Sequence, residues 1–339
     1  MSTRRPVFGD TREQRAAQDQ QLEHRPLRLL AVHAHPDDET LWHGIALAHH
    51  AALGDDVHVV TCTLGEEGEV IPAELAHLEG QGEALARHRR EELRRATATL
   101  GVRSSILGVG PAAASATGRL SRWRDSGMAG TSAAEHPDAF AGAPLAEPAA
   151  ALAEVILAER PDAVVTYEDQ GGYGHPDHIR AHEVTVAALT RAHSVDPTLT
   201  TRLYLTVVPR SWAQEDRAWL AEHASGDQEV GRGGPAAVVV LGPDDPYPPS
   251  VVPDEEAPLR IVDPAVLPVV RAAIAEHPTQ VLLHDGYYTL SNHVATRMRG
   301  REAFVEMPIP LSVRRHEEDD ESRTVGGQQS RGLPHDHGA

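Results

Sequence analysis

Two polar segments carry residue types that can bind a metal ion and transfer protons. Residues 32–39 read VHAHPDDE and residues 171–178 read GGYGHPDH. Within them, His35, Asp38 and His178 offer two imidazole nitrogens and one carboxylate oxygen. Catalytic zinc usually keeps three such ligands and one open position, so this trio predicts a catalytic metal site. The same donors also accept ferrous iron, which leaves the choice between Zn²⁺ and Fe²⁺ open.

Four further side chains in these segments could perform acid–base chemistry. Asp37 adjoins a predicted ligand and is the expected general base, because a metal lowers the pKa of a water that it holds. We expect His175 to protonate a leaving amine and Asp177 to orient that imidazole. The hydroxyl of Tyr173 could donate to a developing oxyanion. The plainer interpretation is that these residues cap helices, fill a loop or pack as a lid.

Each segment follows a run that is typical of a buried strand, residues 27–32 before the first and residues 162–167 before the second. In an open parallel sheet, ligands bind beyond the carboxyl ends of strands, near a switch in strand order. If the two strands are neighbours, the imidazoles and carboxylates converge at one place. The alternative is that each segment only caps a helix and bonds loop amides.

Strands and helices are predicted to alternate along the chain, which favours a parallel sheet with right-handed crossovers. The fold class is therefore α/β, a Rossmann-like doubly wound and mostly parallel sheet with a smaller C-terminal α/β portion. The further predicted strands are 57–63, 105–107, 203–208 and a β-like run 236–241, and the predicted helices are 39–54, 73–100, 148–159, 178–193 and 264–276.

Changes in composition predict four parts of the chain. These are a flexible N-terminal lead 1–26, a Rossmann-like, metal-dependent core 27–210, a smaller C-terminal α/β portion 211–312 and an acidic disordered tail 313–339. Within the core, residues 109–147 are rich in Ala, Gly, Ser and Pro, and a connection of that length is usually functional or disordered.

Charge and cysteine usage exclude some classes of protein. The chain has 50 acidic and 31 basic residues and a formal net charge of −19, which disfavours nucleic acid as a partner. A single cysteine, Cys62, precludes an intramolecular disulfide and suits a reducing cytoplasm. No signal peptide or membrane-spanning run is visible, so we expect a cytoplasmic protein without a membrane partner. The oligomeric state stays open.

The two segments together resemble the LmbE/PIG-L family of zinc-dependent de-N-acetylases. Three longer strings, residues 59–71, 122–130 and 171–178, are similar to the branch of that family that acts in mycothiol biosynthesis. The resemblance covers residues 27 to about 312, strongly as far as 195. It implies hydrolysis of the acetamide of N-acetylglucosaminyl-inositol, a small glycoside.

The resemblance also assigns roles to individual residues. It places one zinc ion per subunit on His35, Asp38 and His178, with Asp37 as general base, His175 as general acid and Tyr173 at the oxyanion. Sugar and inositol contacts would fall on Arg89 and Asp125, with Glu69 as a further candidate. Residues 42–43, Trp-His, are an unusual pair beside the site and could reshape its rim.

Three alternatives to this function stay open. Two keep the family and change the substrate: an amidase of mycothiol S-conjugates, or a deacetylase of another N-acetyl amino sugar. The third is a sugar-binding module without catalysis. A nicotinamide enzyme is disfavoured, because the polar turn at residues 33–38 occupies the place of a glycine-rich dinucleotide loop.

Overall fold

The computed structural model of the chain describes residues 25–109, 120–231 and 234–310. The predicted tail 313–339, and all but the last two residues of the predicted lead 1–26, lie outside this part. The division into a core and a C-terminal portion stays a prediction. Within the described residues, no helix is both long enough and apolar enough to cross a membrane.

Strands and helices alternate through the first two thirds of the chain, as predicted. The strands are β1 Arg28–His33, β2 Asp56–Thr61, β3 Arg103–Ile106, β4 Ala163–Tyr167, β5 Arg202–Pro209, β6 Gln228–Gly231, β7 Gly234–Ala237, β8 Val251–Val252, β9 Leu259–Val262, β10 Leu282–Leu283, β11 Tyr287–Thr289, β12 Thr296–Arg297 and β13 Arg301–Met307. The α-helices are α1 Asp38–Ala52, α2 Gly82–Leu100, α3 Ala146–Glu159, α4 Pro176–Val195, α5 Arg210–His223 and α6 Leu267–Ile274, with one short helical turn at Gly171–Gly174.

The main sheet has the strand order β3-β2-β1-β4-β5-β13-β9, with β8 paired to β5. Strands β1 to β5 are parallel, whereas β13 runs antiparallel to both β5 and β9. A small antiparallel sheet, β10-β11-β12, and the β6-β7 hairpin complete the strands. The predicted α/β class with a mostly parallel sheet is confirmed.

Helices cover both faces of the sheet. Successive side chains of a strand point to opposite faces, so each face of β1 presents apolar side chains to helices. From β1, Leu30 and Val32 pack with α3 and α4, whereas Leu29 and Ala31 pack with α1, α2 and α6. All four side chains are buried. Burial of each leucine contributes roughly 1.5–3 kcal/mol. These two apolar layers hold the carboxyl ends of the central strands in fixed positions.

One predicted helix was too long. The pattern over 73–100 predicts a single helix, whereas the structure has a 3₁₀ helix at Ala73–Leu78 and then α2. The break falls at Gly80, which has a left-handed φ of 72° that interrupts helical hydrogen bonding. The predicted end is correct, since Gly101 caps α2 with a φ of 75°.

Candidate metal and catalytic site

The two polar segments meet at one edge of the main sheet. Strand β1 pairs in parallel with β4 on one side and with β2 on the other, so the strand order changes direction next to β1. The first segment leaves the carboxyl end of β1 and enters α1, and the second leaves β4 and enters α4. The prediction that these strands are neighbours is therefore confirmed, and its setting is the usual ligand position of such sheets.

Asp38 stands between the two imidazoles of the predicted ligand trio. Its Oδ2 lies 3.4 Å from Nδ1 of His35, and its Oδ1 lies 3.3 Å from Nε2 of His178. The backbone N–H of His35 also donates to Oδ2 at 2.9 Å, which fixes the carboxylate within the turn. Burial opposes ionisation, but the neighbouring imidazoles more than compensate and hold the pKa of Asp38 well below its usual range. The carboxylate is thus available as an anionic ligand.

His178 has the hydrogen bonding expected of a metal ligand. Its Nδ1 donates to the carbonyl of Gly171 at 3.1 Å, and its ring stacks on Tyr167 with centroids 4.2 Å apart. Among the described residues, the buried Nε2 makes no well-aligned hydrogen bond, although Oδ1 of Asp38 lies 3.3 Å away. Ligating histidines commonly donate their other N–H to a carbonyl or carboxylate in this way. A divalent metal would satisfy this nitrogen, so the residues present fit the metal that the motifs imply.

His35 is oriented by carboxylates on the side away from Asp38. Its Nε2 lies 3.2 Å from Oδ2 of Asp177 and 3.4 Å from Oδ1 of Asp125. Burial alone would lower the pKa of His35, but these carboxylates raise it well above its usual value. A metal at Nδ1 would displace the proton there, while the N–H at Nε2 stays donated to these carboxylates.

A second grouping of imidazoles overlaps the predicted trio. Ligand nitrogens of His35, His175 and His178 lie within 4.8 Å of one another. However, Nδ1 of His175 accepts the backbone N–H of Asp177 at 3.2 Å, so a neutral His175 carries its proton on Nε2. A protonated nitrogen cannot ligate a metal, which favours Asp38 as the third ligand.

Asp177 contacts a different partner from the one that the sequence predicts. Its carboxylate accepts from Nε2 of His35 and, at 2.9 Å, from the backbone N–H of Ser126. Only its backbone N–H reaches the ring of His175. The reason is the direction of α4, whose first turn points the side chain of Asp177 at the end of β1. Its carboxylate therefore orients a predicted metal ligand rather than the predicted acid.

Asp37 is the N-cap residue of α1, but its side chain makes no capping hydrogen bond there. The residue has a φ of 114°, and its carboxylate lines a cavity of about 1080 Å³ together with His35 and Asp38. Burial and the adjacent charge of Asp38 raise the pKa of Asp37 well above its usual value. A carboxylate with a raised pKa is a stronger base.

His175 and Tyr173 also line this cavity. Burial and the neighbouring imidazoles of His35 and His178 lower the pKa of His175 to about 3, so its ring is neutral at neutral pH. Tyr173 is 51% exposed and its ring stacks on Trp42 with an interplanar angle of 14°. Burial of its hydroxyl raises the pKa of Tyr173, so the group remains a donor.

Of the predicted substrate contacts, Arg89 and Asp125 are buried and Glu69 is exposed, and all three line the cavity. The guanidinium of Arg89 donates to the carbonyls of Gly65 and Glu69 at 2.5 and 2.9 Å. Burial lowers the pKa of Arg89. Arg89 is therefore not a solvated surface residue. Its hydrogen bonds hold the glycine-rich loop 65–69 at the wall of the cavity.

Sequence reasoning missed several residues that support the site. The hydroxyl of Tyr167 accepts the backbone N–H of Ala34 at 3.0 Å, and the carboxylate of Glu66 accepts the backbone N–H of Asp125 at 3.1 Å. The only sequence feature that could have indicated the role of Tyr167 is its position at the end of the predicted strand 162–167. For Glu66 there was only its place in an acidic loop, because its partner Asp125 is distant in the chain.

Comparisons with known proteins bear on this site. Residues 30–189 match the family model described as PIG-L, GlcNAc-PI de-N-acetylase. A 1D-myo-inositol 2-acetamido-2-deoxy-alpha-D-glucopyranoside deacetylase of Thermobifida fusca is 40% identical over 290 residues, covering 84% of this chain and 93% of that protein. Deacetylase 1 of the same name from Saccharopolyspora erythraea is 41% identical over 297 residues, covering 83% and 89%.

Among solved structures, the N,N'-diacetylchitobiose deacetylase of Pyrococcus horikoshii is 18% identical with a TM-score of 0.47, covering 88% of this chain and 94% of that one. The family resemblance carried by the sequence motifs is confirmed by the curated relatives, each of which covers more than four fifths of this chain. The chain belongs to the PIG-L family of de-N-acetylases, which are hydrolytic enzymes.

Proposed function

We propose that this chain removes the N-acetyl group of 1D-myo-inositol 2-acetamido-2-deoxy-α-D-glucopyranoside, a step of mycothiol biosynthesis. Water cleaves the acetamide C–N bond, which yields acetate and a free amine. Support comes from the relatives of about 40% identity named for this activity, which this chain covers almost completely. The observation that carries the chemistry is the meeting of His35, Asp38 and His178 at the carboxyl ends of β1 and β4.

We propose that one Zn²⁺ per subunit is held by His35, Asp38 and His178, with Fe²⁺ as the alternative for the same donors. When bound, such a metal would polarise the acetyl carbonyl and lower the pKa of a nearby water. The unsatisfied Nε2 of His178 and the low pKa of Asp38 support this ligand set. Asp177 supports it further by accepting the N–H of His35.

The remaining side chains would transfer protons and donate hydrogen bonds during the reaction. Asp37 would take a proton from the attacking water, which its raised pKa favours. Tyr173 would donate its hydroxyl hydrogen bond to the oxyanion that forms from the acetyl oxygen. His175 lines the same cavity and would protonate the departing nitrogen, which becomes basic once the carbonyl carbon is tetrahedral. Because a neutral imidazole does not give up its remaining N–H, the ring would first take up the proton that Asp37 removes from water and then deliver it as imidazolium.

The sugar and inositol rings would occupy the cavity beside the metal ligands. Arg89, Asp125 and Glu69 line this cavity and offer donors and acceptors for hydroxyl groups. Among them, Asp125 also contacts Nε2 of His35, so a hydroxyl bound there would lie close to the metal ligands. We propose these three residues as the contacts that select an inositol-bearing sugar.

One observation favours a second substrate. The cavity of about 1080 Å³ slightly exceeds the roughly 300–1000 Å³ usual for small-ligand sites. A bulky mycothiol S-conjugate would use more of this space than the pseudodisaccharide does. Amidase activity on such conjugates, or deacetylation of another amino sugar, is therefore the alternative within the same family.

We also propose that the enzyme works in the cytoplasm without a nucleic acid or membrane partner. The net charge of −19 opposes binding to phosphate backbones, and the single cysteine, Cys62, is a buried free thiol. Cell fractionation with an antibody against the chain tests the compartment, and recovery in the membrane fraction would contradict it.

The deciding experiment is acetate release by metal-stripped protein, with and without added zinc, from three substrates. We expect zinc-dependent release from N-acetylglucosaminyl-inositol, faster than from N-acetylglucosamine or a mycothiol S-conjugate. Preference for the plain sugar or for the conjugate would move the proposal to the corresponding alternative. Tight binding of the glycoside without any release would leave only a sugar-binding module. Loading with iron in place of zinc identifies the more active metal.

A further inference from the structure

The backbone of Asp37 is held in a conformation that needs support. Its φ of 114° and ψ of −34° lie outside the regions that residues with a Cβ readily adopt. Such a conformation is strained and persists only where the surroundings hold it. The direction of the Asp37 carboxylate follows from this backbone, so the groups that hold it also aim the side chain.

Glu39 supplies a direct support for this backbone. Its Oε2 accepts the N–H of Asp37 at 2.9 Å, and its Oε1 accepts from Nε2 of His277 at 2.7 Å. Glu39 and His277 are both fully buried, at 0% exposure. The carboxylate therefore has one oxygen on the turn that carries Asp37 and the other on a segment 238 residues further along the chain.

The segment that carries His277 is itself anchored. The backbone N–H and hydroxyl of Thr279 donate to the carboxylate of Glu92 at 3.1 and 2.6 Å. The side-chain amide of Gln280 donates to the carbonyl of Pro36 at 2.5 Å, directly before Asp37. The turn at Asp37 is thus held from both sides, and neither support touches the reacting groups.

A gain in stability does not by itself explain why the pair Glu39 and His277 is buried. A buried pair seldom contributes more net stability than apolar packing of the same volume. Burial alone would lower the pKa of His277, but the charge of Glu39 raises it. Its distinguishing feature is the contact with the Asp37 amide.

We propose that Glu39, held by His277, is a positioning residue that fixes the backbone of Asp37 and thereby aims the Asp37 carboxylate into the cavity. This inference rests on the proposed function, in which Asp37 is the general base. Loss of the Glu39 contact would let the turn relax toward an ordinary φ and move the base away from its productive position. A misplacement of about 1 Å is enough to cost roughly 100-fold in rate.

The test compares Glu39→Gln with Asp263→Asn in the full-length, metal-loaded protein. Both residues are buried carboxylates that accept from a histidine and from a backbone N–H, but only Glu39 contacts Asp37. We expect Glu39→Gln to lower kcat about 10- to 100-fold with KM and metal content near normal. Asp263→Asn should lower the melting temperature with kcat unchanged. A merely structural role for Glu39 predicts the pattern of Asp263→Asn for both variants.

Amide hydrogen exchange supplies a readout that is independent of turnover. In metal-free protein, Glu39→Gln should speed exchange at the amide of Asp37, and Asp263→Asn should not. If Glu39→Gln does not fold, His277→Gln is measured instead and should speed the same exchange. Unchanged exchange and kcat in a folded variant would overturn the inference.

Asp37→Asn separates this inference from the proposed function. If Asp37→Asn keeps the wild-type kcat, the general-base role fails, and the proposed function is at fault. If Asp37→Asn loses activity while Glu39→Gln keeps it, only the positioning role fails.

Discussion

Oδ2 of Asp177 lies 3.2 Å from Nε2 of His35, although the two residues are 142 positions apart in the chain. The carboxylate is fully buried, and the same oxygen accepts the backbone N–H of Ser126 at 2.9 Å. Held by both donors, Asp177 presents Nδ1 of His35 on the side of Asp38. The second motif therefore supports the ligand geometry of the first.

Asp177→Asn should weaken Zn²⁺ binding about 10- to 100-fold, because a neutral amide oxygen accepts the N–H of His35 less strongly than the carboxylate does and leaves the ring a weaker, less firmly oriented ligand. Competition with a chromophoric chelator measures the dissociation constant. Asp169→Asn, which alters an exposed carboxylate near the same loop, is the control. Equal affinity in the two variants would show that His35 keeps its orientation without Asp177.

Asp37→Asn should leave zinc content near normal and lower kcat for acetate release roughly 100- to 10,000-fold, the usual contribution of one acid–base group. Metal analysis and steady-state kinetics on the same preparation measure the two quantities. Retained turnover in the zinc-loaded variant would assign the base elsewhere.

Arg89→Lys should raise KM about ten-fold or more with a smaller change in kcat. The lysine keeps the charge but cannot bond the carbonyls of Gly65 and Glu69 together, and charge-assisted bonds of this kind contribute about 1.5–3 kcal/mol. Arg90→Lys, at the adjacent exposed position, serves as the matched control. If both variants have wild-type KM, Arg89 does not shape the substrate site.

Gly172→Ala should lower kcat at least ten-fold, because a Cβ there would lie 2.2 Å from the ring of Trp42 and displace the neighbouring Tyr173. Gly174→Ala is the control, since its φ of 91° is equally unfavourable for alanine but nothing lies within 4 Å of its Cβ. Kinetics of both variants separate the contact from backbone strain. Similar losses in the two would attribute the effect to strain alone.

Ionisation of Glu302 should lower the free energy of unfolding as the pH rises. Burial raises its pKa to about 8 from an ordinary value of 4.5, although the N–H groups of Ile45 and Ala46 partly oppose this. The folded state therefore holds this proton more tightly, and the free energy of unfolding decreases between about pH 4.5 and pH 8. Above the folded pKa the loss is complete, on the order of a few kcal/mol.

Urea unfolding of metal-free wild type and Glu302→Gln at about pH 5 and about pH 9 measures this loss. The decrease should be smaller in Glu302→Gln, which has no carboxyl to titrate. Glu306→Gln, at an exposed position on the same strand, should retain the wild-type decrease. If the free energy of unfolding of Glu302→Gln falls by as much as that of the wild type, other groups cause the pH dependence.

The alternation of strands and helices was readable from the sequence, because apolar periodicity is a local property of the chain. The sequence also placed the motifs that contain His35, Asp38 and His178 at strand ends, since these motifs directly follow two buried runs. The parallel pairing of β1 with β4 then brings these side chains together, as expected. The antiparallel attachment of β9 and β13 to the sheet was not predicted, because pairing between distant strands has no local signal.

The sequence by itself therefore determined the fold class, the residues capable of chemistry and the family. Only the tertiary structure decided that Asp177 orients His35, that Arg89 is buried against a glycine-rich loop, and that Glu39 joins Asp37 to His277. These relationships depend on side-chain directions at the ends of elements and on contacts between segments far apart in the chain. Both arise when the apolar faces of the sheet and helices pack together, and no local pattern encodes them.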